Sequence, residues 1–406
     1  MNNGNSPVIT ITGIGIISAI GQGKDEFKNA LFDGKNYFDI MQRPGRQNGT
    51  EFIGAEAHSF TPVDRLSQNK SHTISLSGQM ALAALDEAWH DAELEKMNHH
   101  RIGLIIGGSN IQQRELVITQ EKYRNKLHFL RPSYGLSFLD TDLCGLCTSA
   151  FNIQGMAYTV GGASASGQLA IIEAAEAVKS GRVDACIALG AMMDISYWEC
   201  QSLSTLGAMG SRKYALSPHL ACRPFDTHHD GFIYGEACAA LVIEHRDQCR
   251  KSLPYANLTG WALHMDANRH PDPSVYGESN VINSALNKAN LIAEQIDYIN
   301  PHGSSSIIGD NTELQALRTC RLVHAAINAT KSITGHSLTA AGAVEVAATL
   351  LQMKHKRLHP TRNLDEPIDP EFNWIIDQVK RADIQHSLCL SIGFGGVNTA
   401  LCLSQI

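Results

Sequence analysis

Residues 158–169 read Tyr158-Thr159-Val160-Gly161-Gly162-Ala163-Ser164-Ala165-Ser166-Gly167-Gln168-Leu169. A short β-prone run passes through very small residues into a helical pattern, and residues of that size permit a sharp strand-to-helix turn. Ser164 stands at this turn, where the free backbone N–H groups of a helix N-terminus create a positive local field. Taken alone, the turn is as consistent with a packing role as with a functional one.

The composition of the chain excludes several broad classes of protein. The chain has 406 residues, a formal net charge of -7 and a sequence pI near 6.2, whereas a nucleic-acid-binding surface would be basic. No apolar run is long enough to span a bilayer, and residues 1–5 lack the character of a signal peptide. We therefore expect a cytoplasmic protein that binds neither nucleic acid nor a membrane.

The cysteines and one histidine pair are interpreted as structural. Ten cysteines are scattered through apolar segments, which indicates buried thiols in a reducing compartment rather than a disulfide framework. Cys144 and Cys147 form one C-x-x-C pair without a second pair at zinc-ligand spacing, so we expect no metal site. His228 and His229 lie between aspartates and are interpreted as part of a solvated turn.

Short apolar or β-branched runs alternate with helical patterns along the chain. They predict strands at 8–13, 102–107, 185–189, 298–300 and 399–403, and helices at 24–32, 75–92, 281–291 and 340–351. This alternation predicts an α/β fold with a parallel, doubly wound arrangement, and residues 110–142 are interpreted as an insertion or cap. Asp310 and Glu313 are expected to form a capping box at the start of a helix.

The two halves of the chain have the same style of alternation. We expect them to divide near residue 250, giving an N-terminal half (1–250) that carries Ser164. The C-terminal half (251–406) then carries His302, His336 and Phe394. There is no flexible linker or low-complexity segment between them.

Four loop elements could carry chemistry: Ser164, His302, His336 and the turn Gly393-Phe394-Gly395-Gly396. A serine with two later histidines suggests a hydrolase, whose nucleophile elbow is G-x-S-x-G. The second glycine is missing here, because Ser166 occupies its position. Hydrolase therefore remains only a weak alternative.

Several blocks of the chain match one family in order and spacing. They are Ala163-Ser164-Ala165-Ser166-Gly167, Arg223-Pro224-Phe225-Asp226, Pro301-His302-Gly303-Ser304-Ser305, Lys331-Ser332-x-Thr334-Gly335-His336 with Ala341-Gly342-Ala343-Val344-Glu345, and Gly393-Phe394-Gly395-Gly396-Val397-Asn398. From about residue 7 to the C-terminus the chain resembles the β-ketoacyl synthases, the condensing enzymes of fatty-acid and polyketide assembly. This resemblance implies a thiolase-like fold, with two similar halves in a layered αβαβα arrangement, and a homodimer.

The resemblance also assigns roles, with one departure. The family's nucleophile is a cysteine, and Ser164 occupies its position in this chain. His302 and His336 are implied to donate N–H groups to an enolate oxygen, and Lys331 and Glu345 to form an ion pair that fixes the histidines. The backbone N–H groups of Ser164 and Phe394 are implied to form a second oxyanion hole, and Phe394 with Gly395 a gate.

Replacing cysteine by serine weakens one of the two reactions of a condensing enzyme. A thiol near a helix N-terminus supplies thiolate at neutral pH, whereas an alcohol needs a dedicated base before it can accept an acyl group. Decarboxylation of a malonyl thioester needs only donors for the enolate oxygen. The sequence therefore predicts a malonyl-acyl carrier protein decarboxylase that forms acetyl-acyl carrier protein.

The chain resembles in particular the stand-alone, serine-bearing ketosynthase homologues of polyketide β-branching cassettes. This implies a malonyl-loaded acyl carrier protein as partner and an HMG-CoA-synthase-like enzyme in the same pathway. The only prosthetic group implied is the 4′-phosphopantetheine of the carrier, so we expect no cofactor bound by the chain itself.

Three alternatives stay open at this point. Ser164 could be acylated, which would make the chain an acyltransferase or a slow condensing enzyme. Ser164 could be an engineered replacement of cysteine in an ordinary ketosynthase. The chain could also be a non-catalytic partner subunit that resembles a chain-length factor, although its two histidines favour an enzyme.

Overall fold

The structure, a computed structural model, describes residues 8–58, 60, 61, 63, 65, 74–250 and 253–406. Residues 1–5, which bear on the signal-peptide expectation, lie outside these ranges. The strands are β1 (Ile9–Ser18), β2 (Gly21–Gln22), β3 (Asp39–Ile40), β4 (Ile53–Ala55), β5 (Ile102–Gly107), β6 (Ala157–Val160), β7 (Ala185–Gly190), β8 (Tyr234–Gly235), β9 (Ala237–His245), β10 (Ala256–Met265), β11 (Tyr298–Asn300), β12 (Ala326–Ile327), β13 (Arg357–Leu358), β14 (Asn373–Trp374), β15 (Lys380–Arg381), β16 (His386–Gly393) and β17 (Val397–Ser404).

Helices connect most of these strands. They are α1 (Lys24–Phe32), α2 (Leu76–Asp91), α3 (Gln113–Tyr123), α4 (Tyr134–Ser137), α5 (Thr141–Phe151), α6 (Ser166–Lys179), α7 (Tyr197–Thr205), α8 (Val275–Ala289), α9 (Ile307–Thr319), α10 (Lys331–Thr334) and α11 (Ala341–His355). No helix in the described ranges is long and apolar enough to cross a membrane.

One large mixed sheet runs through both halves of the chain. Its strand order is β14-β12-β11-β16-β17-β10-β1-β9-β7-β5-β6, with β2 paired to β1. Strands β6, β5 and β7 are parallel at one end, and β14, β12, β11 and β16 at the other. The halves meet where β1 pairs antiparallel with β10, at Thr10 with Asn257 and Ile11 with Ala256.

Three buried apolar clusters separate the layers of the fold. In the central cluster, α6 and α11 pack against each other and between the two halves of the sheet. In the second, α2 covers the outer face of the N-terminal strands, and in the third, α8 and α9 cover the outer face of the C-terminal strands. The order is therefore helix, sheet, helix, sheet, helix, which is the layered αβαβα arrangement expected.

The expectation of a parallel, doubly wound arrangement was wrong for the centre of the sheet. The central strands β1, β9, β10 and β17 run antiparallel to their neighbours. Strands β16 and β17 form a hairpin through the turn at Phe394, which leaves no room for a crossover helix, whereas β1 and β10 pair over a long distance in sequence. The division near residue 250 falls between β9 and β10, and its status as a domain boundary stays a prediction.

The first strand was expected to end at Gly13, but β1 continues to Ser18. Its glycines are there for close packing rather than for a turn. A Cβ atom on Gly15 would lie 1.9 Å from the carbonyl oxygen of Ala84 in α2, and one on Gly13 would lie 2.6 Å from that of Ala88. Helix α2 therefore lies directly on the backbone of β1.

This close approach predicts a large difference between two glycine-to-alanine changes. Gly15→Ala forces α2 away from β1, and we expect the free energy of unfolding to fall by about 1–3 kcal/mol, the usual range for overpacking. Gly145 lies inside helix α5, and apart from the helix's own backbone no described residue places a heavy atom within 4 Å of its added Cβ. Gly145→Ala should therefore raise stability by up to about 1 kcal/mol. Equal unfolding midpoints of the two variants in urea would contradict this packing.

Candidate active site

Ser164 lies in a tight turn between β6 and α6. The turn is a 3-10 segment over Ala163–Ala165, and Ala163 has a φ of 47° in the left-handed region. The Ser166 hydroxyl holds it together, because its oxygen accepts from the N–H of Gly162 at 2.9 Å and donates to the carbonyl of Ala163 at 2.7 Å. The expected strand-to-helix turn is confirmed, with α6 beginning at Ser166.

The glycine turn of the C-terminal half packs against this serine turn. A Cβ atom on Gly393 would lie 2.2 Å from the carbonyl oxygen of Gly162, so only glycine permits this contact. The Ser391 hydroxyl donates to the carbonyl of Ser164 at 3.1 Å. Phe394 follows directly, with 43% of its surface exposed. The structure thus brings Ser164 and Phe394 together from opposite halves of the chain.

Hydrogen bonds fix both the backbone and the ring of His336. Its N–H donates to the carbonyl of Ile233 at 2.7 Å, and its carbonyl accepts from the N–H of Gly235 at 3.1 Å. The backbone N–H of Leu338 donates to ring atom Nδ1 at 3.3 Å. Because Nδ1 accepts this hydrogen bond, the proton of the neutral ring resides on Nε2. Nε2 lies 3.0 Å from the Ser164 hydroxyl oxygen.

A buried network of charges anchors the segment that holds His336. Glu236 follows β8 and is ion-paired with Arg46 at 2.7 Å and with Arg43 at 2.7 Å. Arg46 also reaches Asp194 at 2.9 Å, and the side chains of Arg46, Asp194 and Glu236 are all fully buried. Removing one member would leave a buried charge without its partner, which is strongly unfavourable. The network therefore fixes β8, to which the His336 backbone is hydrogen-bonded.

Lys331 fixes the position and the tautomer of His302. Its ammonium lies 3.4 Å from His302 Nδ1, donates to the carbonyl oxygen of His302 and forms a buried ion pair with Glu345. A cation that faces Nδ1 leaves the ring proton on Nε2, as in His336. The two rings meet edge to face, with centroids 5.4 Å apart. The structure therefore gathers Ser164, His302, His336, Lys331 and Glu345 at one place.

Both histidines are kept neutral by their surroundings. Burial lowers the pKa of His302 well below its ordinary value, and the positive charge of Lys331 lowers it further. Burial and Lys331 likewise lower the pKa of His336 well below its ordinary value. Burial also raises the pKa of Glu345, to about 7, against the opposing effect of Lys331. At neutral pH the site therefore presents two imidazole N–H donors rather than imidazolium ions.

The expected capping box at Asp310 and Glu313 was wrong. Helix α9 begins at Ile307, so both carboxylates lie inside it. Glu313 accepts hydrogen bonds from the N–H groups of His302 at 2.6 Å and Gly303 at 2.8 Å. Asp310 accepts from the N–H groups of Ser305 at 3.0 Å and Phe225 at 2.7 Å. Both side chains therefore hold the backbone of the loop that carries His302, rather than capping the start of α9.

Two cavities open beside the histidines. The first, the serine cavity, has a volume of about 550 Å³ and is lined by Ser164, His336 and apolar side chains that include Leu203 and Phe232. The second, the acidic cavity, has about 360 Å³ and is lined by Asp266, Glu278 and Glu313. His302 and Phe394 line both cavities. Phe394 therefore lies at the boundary between two chambers that share one histidine.

The sequence reasoning missed Glu278 as a residue of this site. Helix α8 was expected to begin at Val281, but the Ser274 side chain caps it and the helix begins at Val275. With the correct start, Glu278, Ile282 and Ala285 share one buried face at helical spacing. A glutamate on an apolar stripe is the signal that could have revealed it.

The cysteine pair in α5 and the adjacent histidines His228 and His229 were expected to be structural. Cys144 and Cys147 lie buried in α5, and burial raises the pKa of both thiols. His228 is exposed in a loop, whereas His229 is largely buried and lies 3.3 Å from Asp310. No group of three or more histidine, cysteine or carboxylate side chains within the described part of the chain is arranged to hold a metal ion.

Comparison with known proteins assigns the chain and its fold to one family. Models of the N-terminal and C-terminal domains of β-ketoacyl synthases match residues 6–248 and 255–365. The chain belongs to the β-ketoacyl synthase family. The family accounts for the thiolase-like layered fold, and a crystal structure of a β-ketoacyl synthase from Burkholderia phymatum STM815 matches it with a TM-score of 0.90. That structure is 26% identical and covers 98% of this chain and 100% of its own.

Two relatives differ strongly in their similarity to this β-ketoacyl synthase homologue. The polyketide biosynthesis malonyl-ACP decarboxylase PksF of Bacillus subtilis strain 168 is 56% identical over 100% of this chain and 98% of its own length. The 3-oxoacyl-[acyl-carrier-protein] synthase 2 of Coxiella burnetii is 28% identical over 98% of both chains. Similarity to a decarboxylase of the family is thus much greater than similarity to this condensing enzyme.

The buried carboxylate of Glu313 predicts a pH dependence of stability. Burial raises the pKa of Glu313 to about 8, so the folded chain binds this proton more tightly than the unfolded chain. Stability from this group is therefore present at about pH 4 and is lost as the pH rises towards 8, at up to about 1.4 kcal/mol per pH unit. Glu313→Gln should flatten the fall of the free energy of unfolding between pH 5 and pH 8.

The surface variant Glu294→Gln is the matched control for this measurement and should keep the wild-type pH slope, because Glu294 is exposed. Urea unfolding at several pH values measures the slope. An identical slope in the wild type and Glu313→Gln would show that Glu313 does not hold its proton in the folded chain.

Proposed function

We propose that this chain removes carbon dioxide from a malonyl group on an acyl carrier protein and leaves an acetyl group there. One observation carries the proposal: two neutral histidines lie at cavities beside Ser164, with Nδ1 of each facing a donor and Nε2 of His336 3.0 Å from the Ser164 hydroxyl. The resemblance to the condensing enzymes implies that Ser164 stands where they carry a nucleophilic cysteine. The relative PksF, named a malonyl-ACP decarboxylase, is consistent with this assignment because it is 56% identical to this chain.

The two imidazoles suit the charge that develops during decarboxylation. Loss of carbon dioxide from a malonyl thioester moves an electron pair into an enolate, and negative charge collects on the thioester oxygen. Donors that are already aimed at that oxygen stabilise the transition state, and each is worth about 3–4 kcal/mol. His302 and His336 are the proposed donors. Lys331 and Glu345 are proposed as positioning residues, because Lys331 fixes the protonated nitrogen of His302.

The same geometry argues against Ser164 as an efficient nucleophile. An alcohol must lose its proton to a base as it attacks an acyl group. His336 Nε2 cannot accept that proton, because it already carries one while Nδ1 accepts the Leu338 N–H. The His336 ring instead donates to the Ser164 oxygen. A His336 ring that donates in this way also weakens the hydrolase and acyltransferase alternatives, because both need a base for Ser164. Two ordered histidine donors disfavour a non-catalytic partner subunit.

Phe394 and Gly395 are proposed to control entry to the site. Phe394 lines both cavities, and Gly395 has a φ of +83° that favours glycine. We also propose that the backbone N–H groups of Ser164 and Phe394 form a second oxyanion hole, which no longer serves acyl transfer.

The proposed partner is a malonyl-loaded acyl carrier protein, which supplies the 4′-phosphopantetheine arm. A second proposed partner is another copy of the chain. Among the described strands β6 is the last at its end of the sheet, and Leu127 and Phe129, earlier in the sequence, are 69% and 65% exposed. An open sheet edge beside exposed apolar residues is suited to pairing with a second chain. A pathway partner that resembles HMG-CoA synthase, and a place in polyketide β-branching in the cytoplasm, complete the proposal.

The decisive experiment follows malonyl-loaded carrier protein by mass spectrometry in the presence of the chain. We expect the carrier to lose carbon dioxide and to retain an acetyl group. His302→Ala and His336→Ala should each lower this rate by about 100- to 1000-fold, because each removes one oxyanion donor. Ser164→Ala should keep most of the activity, because the hydroxyl is not a donor to the enolate oxygen.

His228→Ala is the matched histidine control, since His228 is exposed outside both cavities, and it should behave as wild type. A carrier that loses carbon dioxide no faster than it does alone contradicts the proposed function. A covalent acyl adduct on Ser164, seen in the intact mass of the chain, would instead support the acyltransferase alternative.

A further inference from the structure

A decarboxylase needs a proton source that a condensing enzyme does not need. In a condensation the enolate carbon attacks an acyl group, whereas an enolate that becomes acetyl must receive a proton at C2. His302 and His336 direct their N–H groups at the enolate oxygen, and their low pKa values keep them neutral. The Ser164 hydroxyl is a very weak acid. The site therefore requires another acid, if the proposed function is correct.

Glu278 is a buried carboxyl group that the proposed chemistry leaves unused. It lies in helix α8, is 1% exposed and has no hydrogen-bond partner at Oε2 among the described residues. It lines the acidic cavity, which His302, Ser304 and Phe394 also line. A buried polar atom normally has a partner, so an unpartnered carboxyl oxygen on a residue that lines a cavity is unusual.

The neighbours of Glu278 favour its neutral form. Burial raises the pKa of Glu278 well above its ordinary value, and the neighbouring acidic groups Glu313 on α9 and Asp266 after β10 act in the same direction. The carboxylate of Asp266 accepts from the Asn398 amide on β17 at 2.9 Å. Asp272 is a fourth acidic residue on the lining of this cavity, beside Asp266, Glu278 and Glu313. No cation lines this cavity within the described residues, so nothing there offsets the acidic charge.

We propose that Glu278 is the acid that protonates C2 of the enolate in the acidic cavity. The C2–C3 bond of the malonyl group breaks, its electron pair forms the enolate, and carbon dioxide leaves. The enolate pair at C2 then takes the proton of the Glu278 carboxyl group, whose O–H bond breaks to leave a carboxylate. Solvent returns the proton to Glu278 before the next turnover. This role depends on the proposed decarboxylation and adds the identity of its proton donor.

A role for Glu278 as the acid predicts that turnover decreases as the pH rises. Glu278 donates only while it is protonated, so turnover is supported below its raised pKa and is lost as the pH rises through that value. In Glu278→Gln this alkaline loss should weaken, because the amide does not titrate in this range. The residual loss belongs to Glu313, whose pKa of about 8 also affects the His302 loop.

Glu278→Gln is the direct test of the proton donor. The amide has the shape and charge of the protonated acid, so the fold and the histidine pair should be retained. We expect acetyl formation from malonyl-loaded carrier to fall by about 100-fold, within the usual contribution of a general acid. Glu278→Asp should recover part of this loss. Glu244→Gln, a buried glutamate paired with Arg250 away from both cavities, is the control and should keep the wild-type rate.

A second measurement distinguishes proton transfer from a structural role and does not require decarboxylation. Acetyl-loaded carrier is incubated with the chain in D₂O over a series of increasing pD values, because the exchange needs the Glu278 carboxylate, which forms as the pD rises towards the raised pKa. That carboxylate should remove a methyl proton, and the deuterated acid should return deuterium. Mass spectrometry should show deuterium gain with the wild type, and about 100-fold less with Glu278→Gln. Equal exchange or equal acetyl formation in the two chains overturns the role of Glu278. Glu278-dependent exchange without carbon dioxide release supports it while the decarboxylase proposal fails.

Discussion

The active site depends on what hydrogen-bonds to Nδ1 of each histidine. The Leu338 N–H occupies Nδ1 of His336 and the Lys331 ammonium faces Nδ1 of His302, so both rings present a proton on Nε2. A ring fixed in this way donates to an oxyanion but does not accept the proton of a hydroxyl nucleophile. One pair of contacts therefore favours enolate formation and disfavours acylation of Ser164.

The surroundings of these contacts are built to preserve them. Burial keeps the imidazoles neutral, the ion pair of Lys331 and Glu345 places the cation, and Glu313 holds the backbone of the His302 loop. The layered fold brings the parts together, since Ser164 comes from the N-terminal half and both histidines from the other. Glu278 and Glu313 are tolerated beside the acidic cavity because burial raises their pKa values, and burying a neutral acid costs less free energy than burying a carboxylate.

Sequence reasoning predicted much of the fold and the residues proposed for the site, but not the hydrogen bonds that position those residues. Glycine and small residues around Ser164 mark a turn that local sterics alone dictate, so its prediction was reliable. The antiparallel centre of the sheet was missed because strand partners such as β1 and β10 lie far apart in sequence. Glu313 was misassigned because its hydrogen-bond donors, the N–H groups of His302 and Gly303, are positioned by tertiary packing and leave no local pattern.

The tautomers of His302 and His336 test this account most directly. Nitrogen-15 NMR of the chain labelled in histidine distinguishes a protonated Nε2 from a protonated Nδ1 and from imidazolium. At neutral pH we expect both rings to be neutral with the proton on Nε2. Lys331→Met should release the His302 proton from Nε2, while His336 keeps its proton there because the Leu338 N–H still occupies Nδ1. A proton on Nδ1 of His336, which would leave Nε2 free to accept the proton of Ser164, would contradict the account.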